Sequence, residues 1–170
     1  MPPALLWRLY LHGVDVSERF GRVAEMWARK TPVENGYYAF NDLHAVIAFA
    51  GSGRTDAARE VLTEVEAAAS GNPELTRMMA RDIGIPTCTA AIAFAEGRYG
   101  EAVAQLMPVR SIANRFGGSN AQRDILTQTL LEAAIRAGER GVASNVLNER
   151  SVHRPMSPMT RRYRGKLYQY

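Results

Sequence analysis

One pattern recurs three times along the chain: an alanine-rich run ends at a glycine, and an alanine follows five residues after that glycine. The three pairs are Gly53 with Ala58, Gly97 with Ala102, and Gly138 with Ala143. Glycine accepts the left-handed backbone that ends a helix in a tight turn, and a small alanine lets the next helix pack closely on the previous one. The pattern therefore predicts an all-α protein of stacked helical hairpins.

Composition supports a globular helical chain. Hydrophobic residues make up 46% of the sequence and charged residues 22%, which is typical of folded domains, and no run of Val, Ile and Thr alternates at the period of a strand. No stretch approaches the roughly 18 apolar residues of a membrane span, and the first residues lack the pattern of a secretory signal. The single cysteine, Cys88, leaves no internal disulfide. We therefore expect a cytoplasmic location and no membrane partner.

Caps and breakers predict where the helices lie. Gly13 suits a left-handed C-terminal cap, and Ser119 with Gln122 forms the pattern of a capping box. The segment 31–38 is expected to be a loop, and Asn72 an N-cap. The predicted helices span 4–12, 15–30, 41–50, 55–69, 72–84, 86–96, 99–113, 120–137 and 139–150.

The basic charge of the chain is confined to its end. Residues 1–149 carry 15 basic and 17 acidic side chains, whereas 150–170 carry six basic side chains and no acid. The nearly neutral body does not favour a nucleic-acid partner, which would require clustered basic residues on the folded surface. The expected organisation is a helical-repeat domain over 1–150 and a basic C-terminal extension over 151–170, which packs on the domain or flanks it as an extended arm with a frayed helical piece.

The segment Gly97-Arg98-Tyr99-Gly100-Glu101-Ala102 resembles the second half of a tetratricopeptide motif. The copies are 44 and 41 residues apart, longer than the usual period of about 34 residues, which indicates a degenerate form of the repeat. The resemblance implies an αα-superhelix of tetratricopeptide-like hairpins. Such repeats generally bind a peptide or another subunit on their concave face.

A more specific resemblance extends over nearly the whole chain. The segments Leu5-Leu6-Trp7-Arg8-Leu9, Phe40-Asn41-Asp42-Leu43-His44-Ala45 and above all Phe116-Gly117-Gly118-Ser119-Asn120-Ala121-Gln122-Arg123-Asp124 resemble the tetratricopeptide repeat protein 38 family. Members of that family are longer, and this chain is similar to their C-terminal half. The resemblance implies a helical-repeat interaction protein with no established reaction.

Polar side chains on the first helices of the hairpins are the candidate ligand-binding residues. They are Asn41, Asp42, His44, Gln122, Arg123 and Gln128. Arginine grips a carboxylate with two parallel hydrogen bonds, so a peptide or protein partner is expected to bind here. Three of these residues also have a structural interpretation: Asn41 as an N-cap, His44 as a partner of a neighbouring helix, and Arg123 in an ion pair with an internal acid such as Asp42.

Catalysis is the alternative hypothesis. Asp42, His44 and Arg123 have the residue types of a small-molecule or enzymatic pocket, provided that they converge in space. No nucleophile elbow or metal-ligand spacing surrounds them, and Gly51-Ser52-Gly53 lacks the strand and lysine of a phosphate loop. We therefore assign no catalytic residue, no metal ligand and no cofactor. Self-association into a homo-oligomer is a third hypothesis.

Overall fold

The computed structural model describes residues 2–29, 35–71 and 73–168, and every regular element within these ranges is a helix. The prediction of an all-α fold is confirmed. The elements are α1 (Pro3–Leu11), α2 (Ser17–Ala28), α3 (Ala39–Gly51), α4 (Thr55–Gly71), α5 (Glu74–Met79), a π-helical turn (Ala80–Gly84), α6 (Ile85–Ala95), α7 (Tyr99–Val109), a 3₁₀ helix (Arg110–Phe116), α8 (Asn120–Arg136), α9 (Arg140–His153) and α10 (Pro158–Tyr168).

The three glycine turns have the same geometry and join α3 to α4, α6 to α7, and α8 to α9. In the middle turn, Gly97 has φ +79°, its N–H donates to Phe94 O (3.1 Å), and Arg98 N–H donates to Ala93 O (2.8 Å). This is the Schellman arrangement, which satisfies the last carbonyls of a helix. Gly53 and Gly138 have φ +78° and +76° and make the equivalent hydrogen bonds. The left-handed glycine turns are confirmed.

The alanine of each pair lies at the start of the second helix. Ala58, Ala102 and Ala143 are all buried, and the N–H of Ala102 makes the first helical hydrogen bond of α7, to Arg98 O (3.2 Å). A larger side chain at these positions would hold the two helices of a hairpin apart. The predicted role of the small residue is confirmed.

Helix α1 packs across the first helices of the hairpins, on α3 and α8. Its anchor is Trp7, which is fully buried and donates from Nε1 to Thr129 Oγ1 in α8 (3.0 Å). The indole ring also meets Phe94 of α6 edge-on, with 5.7 Å between ring centroids, and Phe20 of α2 at 6.5 Å. The chain therefore covers with its own α1 the face on which we expected a partner to bind.

The predicted break between helices 72–84 and 86–96 is wrong. The backbone continues from α5 into α6 through the π-helical turn, in which Ile85 N–H donates to Ala80 O. Pro86 follows this turn at the second position of α6, and the Thr87 hydroxyl donates to Ile83 O (2.7 Å). Gly84 is there for close packing: a Cβ at this position would lie 2.9 Å from a methyl group of Val65.

The end of the chain is a packed helix, so that of the two expected arrangements it packs on the domain and does not form an extended arm with a frayed piece. Helix α9 continues past Arg150 to His153, and α10 packs against α8 and α9 with Thr160, Tyr163 and Leu167 buried. Apolar contacts of this kind stabilise a helix that carries several like charges. Residues 31–34 of the predicted loop and the predicted cap Asn72 lie outside the described residues, and the rest of that loop, 35–38, is non-helical as expected.

Candidate functional site

Asp42 lies in the first turn of α3 and is buried. One oxygen accepts a hydrogen bond from Gly36 N–H (3.0 Å), and Oδ2 has no hydrogen-bond partner among the described residues. Burial raises the pKa of Asp42 to about 6, despite the opposing effect of the Gly36 hydrogen bond. Asp42 thus holds the loop before α3 in place.

The hydrogen-bond partner of His44 lies in its own helix, α3. Its Nδ1 donates to Phe40 O within α3, and its ring packs on that of Phe40 with 4.1 Å between centroids. Burial lowers the pKa of His44, and the charge of Arg8 lowers it further. Asn41 is exposed, and the N-cap of α3 is Tyr38, so the interpretation of Asn41 as the N-cap is wrong.

Arg123 closes the turn that precedes α8. Its guanidinium donates to the carbonyls of Gly117 (3.5 Å) and Gly118 and to the side-chain oxygen of Asn120. The expected ion pair with an internal acid such as Asp42 is not among these contacts, because the chain folds Arg123 back on its own glycine turn. Asp42, His44 and Arg123 thus hydrogen-bond to three separate segments of the described chain.

Gln122 and Gln128 both have structural partners on α8. Gln122 completes the predicted capping box: Ser119 N–H donates to Gln122 Oε1 (2.7 Å), and Gln122 N–H donates to Ser119 Oγ (3.3 Å). The capping box is therefore confirmed. Gln128 is buried, and its Nε2 donates to Asp124 Oδ2 (2.9 Å), one turn earlier.

The carboxylate of Asp124 is the centre of an ion-pair network that the sequence analysis did not identify. Arg150 of α9 grips it with both terminal nitrogens, Nη2 to Oδ2 at 3.1 Å and Nη1 to Oδ1, and a nitrogen of Arg154 lies 3.7 Å from Oδ2. The Arg150 side chain is only 7% exposed, and its Nε has no partner among the described residues. Because 26 residues separate Asp124 from Arg150, no local spacing predicts this pair.

A groove of about 830 Å³ lies beside this network, between α7, the 3₁₀ helix, α8 and α9. Its buried apolar residues are Leu106, Val109, Leu126 and Val146. Its charged residues are Arg110, Arg123, Asp124, Glu149, Arg150 and Arg154, and the rest of the lining is Met107, Ser111, Ala113, Asn120, Thr127 and Val152. The volume is within the usual range of ligand sites, and apolar walls with a few placed charges are typical of them.

Four arginines face two acids in this groove, an excess of two positive charges. Of the predicted site residues, only Arg123 lines it. Val152 projects at its edge and is 77% exposed. The local sequence shows only that the C-terminal end of α9 is cationic, with Arg150 in the last turn of the helix and Arg154 at its C-cap.

Other chemistry has less support. Among the described residues there is no group of three or more His, Cys, Asp or Glu side chains that could hold a metal ion. Cys88 is buried, and burial raises the pKa of its thiol well above the ordinary value, which is the character of an unreactive core cysteine. No helix in the described ranges is both long enough and apolar enough to cross a membrane.

No family model matches the chain, and no solved structure matches it. Its class is therefore defined by its own geometry. It is an all-α chain with three helical hairpins, and helices α1 and α10 pack on them. A groove with an excess of positive charge lies between α7, α8 and α9.

Proposed function

We propose that the protein is a helical-repeat interaction module related to the C-terminal half of the tetratricopeptide repeat protein 38 family, and that it acts in the cytoplasm. Support comes from the three equivalent glycine turns, the buried alanines at the helix crossings and the segment Gly117–Asp124. In this proposal the hairpins form a tetratricopeptide-like superhelix, and the protein binds a protein or peptide partner without catalysing a reaction.

The observation that carries the proposal is the groove between α7, α8 and α9. The face formed by α3 and α8 is occupied by α1 with Trp7 buried in it, and a partner would have to displace that helix. The groove is instead an accessible concave surface that combines an apolar floor with unbalanced positive charge. These are the properties of a site for an extended peptide segment.

The alternative, a small-molecule or enzymatic pocket formed by Asp42, His44 and Arg123, is disfavoured because each of these side chains is already hydrogen-bonded within the fold. The three side chains make their hydrogen bonds to Gly36, Phe40 and the 117–120 turn, respectively. General acid–base chemistry requires such groups to be within hydrogen-bond reach of one reacting centre.

Peptide display against the immobilised full chain tests the proposal. We expect the selected peptides to bind at least tenfold more weakly to Val152→Glu and Arg154→Glu, two variants at exposed positions of the groove. Arg22→Glu, an equal charge reversal on the exposed face of α2, is the matched control and should bind as the wild type does. Circular dichroism confirms that each variant is folded.

Failure to enrich any peptide, or equal binding by the groove variants and the wild type, would contradict the proposal. Loss of binding in Arg22→Glu to the same extent would contradict it too, because it would indicate attraction to the overall charge of the protein.

A further inference from the structure

The charged side chains around the groove differ in how completely other side chains of the fold neutralise them. Asp124 is fully engaged: both its oxygens accept hydrogen bonds from Arg150, and Gln128 adds another. Within the described part of the chain, Arg110 contacts one acid, Glu149, whose side chain is 65% exposed. Because an exposed ion pair contributes little, a carboxylate from outside can replace Glu149 at Arg110 at low cost.

Arg154 is available in the same way. Its side chain is 44% exposed, and its Nη1 lies 3.7 Å from Asp124 Oδ2, an oxygen of a carboxylate that Arg150 already satisfies. Arg154 therefore retains donors that point to no other acid among the described ion pairs. Arginine forks of this kind bind carboxylates with two parallel hydrogen bonds.

The floor between these cations is apolar. Leu126 of α8 and Val146 of α9 line the groove and are 7% and 2% exposed. A charged group that lies against such a floor loses hydration without gaining a polar partner, whereas an apolar side chain gains dispersion contacts with it. The complementary ligand thus has negative charge on either side of an apolar group.

We propose that the groove binds an acidic peptide segment in which two carboxylates flank an apolar side chain, with the carboxylates at Arg110 and Arg154 and the apolar side chain over Leu126 and Val146. This inference rests on the proposed function and names the chemistry of the partner. Two carboxylates balance the excess of two positive charges in the groove.

Fluorescence polarisation of the full chain with short synthetic peptides tests the inference. The probe is a fluorescein-labelled peptide with an Asp-Leu-Asp core between glycine and serine residues, and its matched analogues have Asn-Leu-Asn and Asp-Ser-Asp cores. We expect each analogue to bind about tenfold more weakly, since each lacks one of the two kinds of contact. Added salt should weaken the Asp-Leu-Asp peptide most.

Protein variants assign the contact to the groove. Arg110→Gln and Arg154→Gln should each weaken the Asp-Leu-Asp peptide about tenfold and leave the Asn-Leu-Asn peptide unchanged. The control is Arg161→Gln with Arg164→Gln, which removes two exposed charges of α10, and it should bind as the wild type does. If the α10 variant loses binding while the groove variants keep it, the inference is overturned.

The outcome also separates the inference from the proposed function. If displayed peptides depend on Val152 and Arg154 but contain no acidic residues, or if the Asn-Leu-Asn peptide binds as well as the acidic one, the groove is a peptide site and the acidic ligand is wrong. If no displayed peptide depends on the groove, the proposed function itself fails.

Discussion

Helix α8 carries two carboxylates, two turns apart, that are paired with cations in similar ways but have different surroundings. Glu132 is 3% exposed and accepts hydrogen bonds from Lys166 of α10 (2.7 and 2.9 Å) and Arg136 (3.0 Å). Asp124 is 13% exposed and pairs with Arg150 and Arg154. The first pair attaches the last helix of the chain to α8, whereas the second lies at an open groove.

The same kind of ion pair thus lies in two different surroundings in this molecule. Where Lys166 meets Glu132, α10 lies over the pair and Tyr163 and Leu167 of α10 are buried. Where Arg154 meets Asp124, no described element covers the pair, and apolar residues of α7, α8 and α9 remain beside it. We infer that a partner covers the second surface as α10 covers the first.

Removal of the Asp124 carboxylate should have the largest effect on stability. Asp124→Ala leaves the guanidinium of Arg150, which is 7% exposed, without its counter-charge, and an uncompensated buried charge typically costs about 3–5 kcal/mol. Urea unfolding followed by circular dichroism measures this loss. Glu149→Ala removes an exposed acid from the same groove and should change stability by less than about 0.5 kcal/mol.

The double variant Asp124→Leu with Arg150→Met sharpens that prediction. Because no charge is then left buried, it should be more stable than Asp124→Ala. A single variant within about 1 kcal/mol of the wild type, or a double variant no more stable than the single one, would contradict the role that we give to the pair.

A third buried acid, Asp42, has no cation in its described contacts, and its effect depends on pH. Its pKa is about 6 in the folded protein and near 3.8 without burial. The native state therefore binds the proton more tightly, and this contribution to stability is complete below about pH 4 and is lost as the pH rises through about 6. The difference amounts to at most about 3 kcal/mol.

Unfolding free energies between pH 4 and 7 measure this effect. Asp42→Asn keeps an oxygen for Gly36 N–H and cannot ionise, so that its profile should be flatter than that of the wild type over this range. Asp56→Asn, at a fully exposed side chain of α4, should leave the profile unchanged. A wild-type profile parallel to that of Asp42→Asn would show that the pKa of Asp42 is the same in the folded and unfolded protein, and would contradict the prediction.

Glu132→Gln should cost less than Asp124→Ala, about 1–2 kcal/mol, because the side chains of Lys166 and Arg136 are 29% and 31% exposed and can turn to water. The loss should be local. Hydrogen exchange should become faster in α10 and remain unchanged in α3 and α4, whereas Glu101→Gln, at an exposed ion pair of α7, should alter neither. Equal acceleration over the whole chain would contradict a local role.

Val152→Ser should have the smallest effect on stability. The side chain is 77% exposed, so its loss removes little buried surface, and we expect a change below about 0.5 kcal/mol. Thermal unfolding measures it. A loss of more than about 1 kcal/mol would mean that Val152 packs within the fold rather than standing at the edge of an open groove.

The sequence predicted local features well. Gly53, Gly97 and Gly138 determine the turns because few residues other than glycine adopt their backbone conformation, and Ser119 with Gln122 forms a cap within four residues. The predicted helix break at Gly84 and Pro86 was wrong. A glycine and a proline usually end a helix, but here the π-helical turn and the packing of Gly84 on Val65 favour a continuous helix.

The candidate site was predicted less well, since its contacts are distant in sequence. Trp7 reaches Thr129 across 122 residues, and no local pattern indicates that α1 covers the face of α3 and α8. Of the six residues predicted to bind a ligand, Arg123 lines the groove, while Asp42, His44 and Gln128 are buried and hydrogen-bonded within the fold. The residues that give the groove its charge, Arg110 and Arg154, are recognisable only once the helices are packed.

We propose that a partner binds in the groove, and not on the face of α3 and α8 that α1 covers. Chemical-shift mapping of the isotopically labelled full chain during titration with the Asp-Leu-Asp peptide tests it most directly. We predict that the largest changes occur at backbone amides of the groove, such as those of Ser111, Thr127 and Val152. Changes concentrated at Leu6 of α1 and at His44 of α3 would contradict this proposal.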